Sequence, residues 1–165
     1  DFLGTDLSKI NNELEKLITI LPQNTIITPD HIEDNIGISK DFNNFELRKA
    51  VGEKNILKVN QIIQYFALNP KSNPLVMTIS LLNSFFTQLL IYHGLKNKSR
   101  DQVAKSLGIR PFFVTDYVTA ARNYPMRKVA QVISMLRDAD VKSKGVGASQ
   151  SHGDILKELL FKIMH

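Results

Sequence analysis

The stretch that decides the fold is residues 73–95, which read NPLVMTISLLNSFFTQLLIYHGL. It contains no Asp, Glu, Lys or Arg. Pro74 suits the first turn of a helix, where a missing N–H costs nothing, and Gly94 suits its end. A helix that is apolar over most of its girth is expected to be buried over most of its girth. The large apolar residues recur at steps of three and four, the spacing of one helix face: Leu75, Ile79, Leu82, Phe86 and Leu89.

A membrane span is the alternative for this stretch. Polar residues interrupt it throughout, and it contains no purely apolar run of about 20 residues. We therefore predict the central helix of a soluble helical domain, with no membrane partner. The interrupting residues are Thr78, Ser80, Asn83, Ser84, Thr87 and Gln88.

The composition bounds the class of protein. The chain has 165 residues, of which 43% are hydrophobic, enough for one domain or for a small domain and a larger one. It has no Cys, which excludes disulfides and thiolate metal sites and fits a reducing cytoplasm. The chain opens with no basic-then-apolar signal sequence. It begins with Asp1 rather than Met, so we expect a piece of a longer protein.

Charge is spread unevenly along the chain. Residues 1–52 hold five Lys or Arg and nine Asp or Glu, a net −4, whereas residues 53–165 hold sixteen and seven, a net +9. The change at Gly52 predicts a domain boundary there. A segment with a net charge of +9 is consistent with binding to nucleic acid, and it is also consistent with an ordinary basic surface in contact with water.

Three short helices are predicted before this boundary. The first ends at Pro22, the second opens at Thr28-Pro29 and closes at Gly37, and the third covers about residues 43–51. The apolar stripe of the first is Leu7, Ile10, Leu14, Leu17 and Leu21, and the third is marked by Phe45, Leu47 and Val51.

About six helices are predicted after the boundary. Besides the central helix they cover residues 56–68, 99–107, 111–123, 126–144 and 155–163. Ser99 and Gln102 have the spacing of a capping box. No segment shows sustained period-two alternation. We therefore predict an all-α fold, with a small three-helix domain at 1–52 and a helical domain of about six helices at 53–165.

The spacing of polar residues predicts no catalytic, nucleotide-binding or metal site, and no cofactor. Residues 145–153 resemble a phosphate-binding loop but lack the Gly-Lys-Ser/Thr and the preceding strand, so we interpret them as a connection between helices. The four His, at 31, 93, 152 and 165, are too scattered for a zinc site. Asp138 and Asp140 do not share a helix face, and we expect them to pair with Arg137 or Lys142.

A DNA-binding helix-turn-helix is the alternative for residues 102–123, which have the Ala, Gly and apolar rhythm of that motif. Residues 111–123 would then be the recognition helix in the major groove. This helix begins Pro-Phe-Phe and carries Asp116, with Arg122 as its one cation, which suits base reading poorly. We favour a helix pair that enters no groove. In the alternative, a regulator would need Arg110 and Arg122 to bind duplex DNA.

Four motifs occur in order along the chain. They are DFLGTDLSKINNELEKL at 1–17, FELRKAVG at 45–52, VAKSLGIRPFFV at 103–114 running on to AARNY at 120–124, and LRDADVKSKG at 136–145. Together they resemble the delta subunit of the bacterial DNA polymerase III clamp loader. The resemblance covers essentially the whole chain.

The resemblance implies a fold and a role. Residues 1–52 would form the helical lid that follows an AAA+ core, and residues 53–165 the helical collar, which joins four other loader subunits in a ring. The AAA+ core, which in this family opens the sliding clamp and has no working ATP site, would be missing. The chain would have no catalytic activity itself, although it would belong to the DNA polymerase III holoenzyme, a DNA-directed DNA polymerase and nucleotidyltransferase.

The resemblance also implies partners and candidate site residues. The partners would be gamma/tau-type and delta-prime-type subunits in a hetero-pentamer, primer-template DNA in the complex, and the sliding clamp through the missing N-terminal part. In this family the loop before the terminal helix faces DNA, and Lys142 and Lys144 would supply charge there. Both are equally well explained as cations at the negative end of a helix. No aromatic residue lies between Lys142 and Gly153, so we expect no base stacking by this loop.

Overall fold

The structure is a computed structural model that describes residues 7–22, 25–28, 31, 42–145 and 150–165. Every regular element in these residues is helical and none is a strand, which confirms the predicted all-α fold. Within these described residues, six α-helices follow Gly52, as predicted. In chain order the elements are α1 (Leu7–Ile20), α2 (Asn44–Gly52), α3 (Ile56–Leu68), α4 (Leu75–Gly94), α5 (Arg100–Leu107), a 3₁₀ turn (Pro111–Phe113), α6 (Val114–Asn123), α7 (Met126–Ser143) and α8 (His152–Met164).

The chain forms two compact units, Asp1–Phe42 and Asn43–His165. The change in charge along the chain predicted a boundary at Gly52, so the two divisions differ by helix α2. The assignment of a lid domain to residues 1–52 and of a collar domain to residues 53–165 stays a prediction.

In the first unit the described helix is α1. Leu17 of its predicted stripe is buried, whereas Leu7 and Leu14 are exposed, so the stripe is not buried along its whole length. A unit this small buries a modest share of its surface. The second predicted helix lies outside the described residues except near its start, where the Thr28 hydroxyl accepts a hydrogen bond from the His31 N–H at 3.3 Å, as the predicted cap requires.

The start of α2 is fixed within the second unit. Asn43 caps the helix by accepting hydrogen bonds from its first backbone N–H groups. The fully buried hydroxyl of Thr78, on α4, donates to the side-chain oxygen of Asn44 at 2.8 Å. Arg48 pairs with Asp116 of α6 at 3.4 Å. The helix is therefore tied to two others near its beginning.

The end of α2 is fixed as well. The Tyr124 hydroxyl donates to the carbonyl oxygen of Val51, and the side-chain amide of Asn123 donates to that of Gly52, both at 2.9 Å. A Cβ on Gly52 would lie 3.2 Å from the ring of Phe85, so glycine permits the close approach of α2 to α4. Helix α2 is an integral part of the second unit.

The core of the second unit lies around α4. This helix packs along α7, and α8 packs against both α7 and α3. Aromatic rings fill the centre, where Phe85 contacts Tyr117 and Phe86 contacts Tyr124, each pair with centroids 5.2 Å apart. The predicted stripe of α4 is buried at every position, namely Leu75, Ile79, Leu82, Phe86 and Leu89.

The expectation that α4 is buried over most of its girth is wrong, because only 44% of the most apolar segment of this helix is buried. Val76, Met77 and Ile91 are exposed. Among the described helices, α4 is also the one that is long and apolar enough to cross a membrane. Its buried side chains pack on other helices of the same unit, so we interpret it as a core helix with one uncovered side.

The segment after α4 corrects two local predictions. The capping box does not form, because the Ser99 side chain accepts no hydrogen bond from the helix and Gln102 donates to Ser106 at 3.2 Å instead. The predicted helix 111–123 begins as a separate 3₁₀ turn, which is common at the start of a helix. Gly108 ends α5 with φ +64°, a left-handed conformation that favours glycine.

Candidate interaction surfaces

The histidines of the second unit have local contacts rather than a shared site. His93 Nε2 lies 2.8 Å from the carbonyl oxygen of Tyr124, and His165 Nδ1 lies 3.0 Å from that of Phe161. Across the described part of the chain, no group of three His, Asp or Glu is placed to hold a metal ion. The surfaces of the second unit are therefore the candidates for function.

A groove of about 490 Å³ runs between α4 and α7. Ile79 and Leu136 are buried along it, while Ile133 is half-buried and lines it. Arg137 and Asp140 supply its charged lining. An apolar centre with a polar edge is the usual anatomy of a protein-docking surface.

The α4 side of this groove carries no charge. A water-facing helix side normally holds charged residues, whereas the centre of a protein–protein interface is depleted of them. This side of α4 therefore has the composition of a surface that another protein covers. We call it the neutral face; its exposed positions are Val76, Met77, Ser80, Asn83, Ser84, Thr87, Ile91 and Gly94.

The two candidate DNA-facing residues lie at the C-terminal end of α7, and both are in ion pairs. Lys142 Nζ lies 3.4 Å from Glu158 Oε1, and Lys144 Nζ lies 2.6 Å from Asp140 Oδ2. The expectation that Asp140 pairs with Arg137 or Lys142 is therefore wrong. A side chain four residues away on the same helix side, Lys144, reaches it more directly.

Glu158 of α8 neutralises part of the positive charge at this end of the unit. It accepts hydrogen bonds from Lys162 and Lys142. The hydrogen bond from Lys162 and the positive charge of Lys142 lower the pKa of the Glu158 carboxyl below its ordinary value. A DNA-facing role for Lys142 and Lys144 stays a prediction.

The stretch 145–153, which faintly resembles a phosphate-binding loop, leads into the capped start of α8. Ser151 accepts a hydrogen bond from the Asp154 N–H at 3.2 Å and donates to the Asp154 carboxylate at 2.6 Å. A carboxylate thus already lies at the positive end of α8. Residues 146–149 lie outside the described residues.

The helix pair 102–123 exists, but its second helix is not free to enter a DNA groove. Val114, Tyr117 and Ala120 are buried, and α6 packs against α2 and α4. Of its ten residues, Thr115 and Arg122 are the exposed ones. A recognition helix must present a whole side to the bases. The structure therefore favours the packing interpretation over the helix-turn-helix.

The surface that leads into α6 is basic and carries an exposed aromatic ring. Residues 96–110 hold five Lys or Arg and one Asp, a net +4, and all five cations are exposed. Phe112, in the 3₁₀ turn, is 77% exposed. Arg100 Nε donates to the carbonyl oxygen of Pro111 at 3.0 Å, which holds this cation against the same turn. We call Lys98, Arg100, Arg110 and Phe112 the basic turn.

Sequence reasoning missed the basic turn. In the sequence, Pro-Phe-Phe at 111–113 was interpreted only as a start that is unsuitable for a recognition helix. The available signal was a pair of large aromatic residues inside a cation-rich segment, but their exposure could not be read from periodicity. Phe113 is in fact half-buried, with its ring 5.6 Å from the Arg48 guanidinium, whereas Phe112 faces solvent.

Comparison with known proteins gives a family and a fold. Residues 41–162 match the model of the family DNA polymerase III delta subunit, C-terminal domain. No curated protein matches the chain. Among solved structures, the Bacillus subtilis DNA clamp loader delta protein (YqeN) is similar with a TM-score of 0.59 and 22% identity. The match covers 96% of this chain and 46% of that protein, and at this identity it shows the fold alone.

Proposed function

This chain belongs to the family of the DNA polymerase III delta subunit, C-terminal domain, and from that membership we propose that it is an assembly part of a clamp loader. It binds other loader subunits so that their complex can load the sliding clamp on DNA during replication. The chain itself catalyses no reaction. It acts in the cytoplasm as a component of the DNA polymerase III holoenzyme.

In this proposal the partners are gamma/tau-type and delta-prime-type subunits in a hetero-pentamer. The lid is predicted at residues 1–52 and the collar that joins the ring at residues 53–165, with α2 packed on the collar side of that boundary. The clamp is opened by an AAA+ core outside these 165 residues. Lys142 and Lys144 face primer-template DNA in the assembled complex, where a phosphate could replace part of their present pairing.

The observation that carries the proposal is the neutral face of α4. A long helix at the centre of a domain has left one side uncovered, and that side holds no charged residue. Phosphate binding requires cations, so the neutral face does not suit DNA. It suits a neighbouring helix, because small side chains such as Ser80 and Asn83 allow close approach and Ile133 offers an apolar centre.

Native mass spectrometry of this chain mixed with the other loader subunits of the same organism tests the proposal. We expect one copy of the chain in a hetero-pentamer. Asn83→Arg, in the groove, should weaken incorporation at least about tenfold, because a bulky cation would be buried in a groove whose carboxylate, Asp140, already pairs with Lys144.

Gln131→Arg is the matched control. It adds the same charge at an exposed position of α7 that does not line the groove, and it should assemble as the unchanged chain does. Equal assembly of both variants would show that the neutral face is not the docking surface. Failure of the unchanged chain to enter any complex would remove the proposed function itself.

A further inference from the structure

We propose that the basic turn is a binding site for single-stranded DNA, with Phe112 as a stacking platform for a base and Arg100 and Arg110 as phosphate contacts. The proposal deepens the proposed function, on which it rests for the choice of DNA as the polyanion. It concerns a surface separate from the neutral face and from Lys142 and Lys144.

The exposure of Phe112 is the first step. A large aromatic ring that remains exposed to water does not gain the favourable free energy of burial. Among the described residues, the ring of Phe112 has one aromatic neighbour, Phe113, with centroids 5.5 Å apart in an edge-on arrangement. One ring face of an exposed Phe is open to a planar partner. Every nucleic acid base has such a planar face.

The cations around Phe112 are the second step. Arg100 is fixed at the turn by its Nε hydrogen bond to Pro111, which leaves its terminal guanidinium nitrogens available for a phosphate. Within the described part of the chain, no carboxylate lies in ion-pair distance of Arg100 or Arg110. In contrast with Lys142 and Lys144, these cations are not already neutralised. Lys98 lies over the Tyr92 ring at 4.8 Å and adds a third positive charge.

The choice of single-stranded over duplex DNA is the third step. In a duplex the base faces are stacked on one another, so a Phe ring on a short turn cannot reach them without unstacking. Helix α6, the element that would read a groove, is enclosed by α2 and α4. A ring flanked by cations is instead the arrangement by which proteins hold single strands with little sequence preference.

An acidic polypeptide is the other ligand with matching charge. Carboxylates would satisfy Arg100 and Arg110, but they would leave the open face of Phe112 without a partner. Single-stranded DNA supplies both the anionic backbone and the planar groups, so it accounts for the ring and the cations together.

Fluorescence anisotropy of the 165-residue chain with a fluorescein-labelled oligothymidine tests the site. Phe112→Ala should weaken binding about tenfold, since removing a stacking aromatic typically has an effect of this size. Arg110→Ala should weaken binding and also reduce the slope of log K against log salt by about 0.7, the value for one phosphate contact on a single strand. A merely structural role would leave that slope unchanged.

Two control variants match these changes. Phe161→Ala removes an aromatic side chain from α8 that is 65% exposed, and Arg127→Ala removes an exposed cation from α7. Both should bind the oligonucleotide as the unchanged chain does, and circular dichroism should show all four variants folded. Equal losses in the controls would mean diffuse attraction to a basic protein and would overturn the proposal.

Three further outcomes are decisive. Tighter binding of a hairpin duplex than of the single strand would overturn the choice of ligand. Displacement of the oligonucleotide by poly-glutamate at equal charge concentration would favour an acidic polypeptide instead. Asn83→Arg should keep oligonucleotide binding while losing assembly, so failure of one inference can be told from failure of the other.

Discussion

Replacing Leu47 with alanine is expected to destabilise the second unit by about 3 kcal/mol. The Leu47 side chain is 0% exposed and belongs to α2, the helix on which the domain boundary depends. The change removes three buried carbon atoms, each worth about 0.8 kcal/mol, and leaves a cavity that adds to the loss. Phe45→Ala, on the same helix, removes a larger side chain that is 66% exposed and should cost about 0.5 kcal/mol or less.

The assay follows the second unit alone. The chain has no Trp, and its four Tyr, at 65, 92, 117 and 124, all lie between Asn43 and His165. Tyrosine fluorescence during urea unfolding therefore reports on that unit and not on residues 1–42. A loss of 3 kcal/mol should also lower its thermal midpoint by about 10 °C.

Equal small effects of the two variants would refute the reasoning, because they would place α2 outside the cooperative core. Truncated chains give a second test of whether α2 belongs to the cooperative core. A chain that starts at Asn43 should keep the unfolding transition of the second unit. A chain that starts at Glu53 should lose much of its stability, since Val51 and Gly52 no longer satisfy Tyr124 and Asn123. An unaffected chain from Glu53 would support the boundary read from charge.

Two further predictions concern pH and backbone conformation. Burial raises the pKa of Tyr124 and of Tyr117, and for Tyr117 the charge of Asp116 adds to this while Arg48 opposes it. In the unfolded chain tyrosine loses its proton near pH 10, the ordinary pKa of this side chain, while the folded chain keeps these protons. The unfolded state therefore binds fewer protons above that pH, and the free energy of unfolding falls. Thermal midpoints between pH 8 and about pH 11 should drop less steeply for Tyr124→Phe than for the unchanged chain; parallel curves would contradict this. Gly108→Ala should cost about 1 kcal/mol in urea unfolding because of its left-handed backbone, while Gly94→Ala, equally free of steric contact, should be neutral or stabilising; similar costs would argue against the backbone explanation.

The apolar pattern was sufficient to predict most helices of the second unit. In α4 every residue of the predicted stripe is buried, and in the terminal helix the same holds for Ile155, Leu159 and Ile163. Proline and glycine set the ends, as at Gly108 and Pro125. These features are local, because helix periodicity and chain breakers act over a few residues. Local rules therefore predict where helices lie.

Which residues contact one another in the folded chain could not be predicted in the same way. The pattern marks Phe45 and Leu47 alike as apolar, yet only Leu47 is buried, since the difference depends on contacts with distant helices. Lys142 and Lys144 were chosen from a resemblance, and their pairing with Glu158 and Asp140 depends on how α7 and α8 come together. The boundary at Gly52 followed a change in net charge along the chain, whereas α2 is held by packing, by hydrogen bonds and by the Arg48–Asp116 ion pair, which a count of charges along the chain does not reveal.

The distribution of charge around α4 connects the two proposals. The helix itself has no charged residue, and the segment that follows it at once, residues 96–110, has a net charge of +4. An uncharged protein surface over those cations would desolvate them without neutralising them, at a cost of several kcal/mol per charge. A DNA site on the neutral face would have no cation to hold a phosphate. Because the neutral face disfavours DNA and the basic turn disfavours an uncharged partner surface, one small unit can be covered by protein on its neutral face while its basic turn stays open to a single strand.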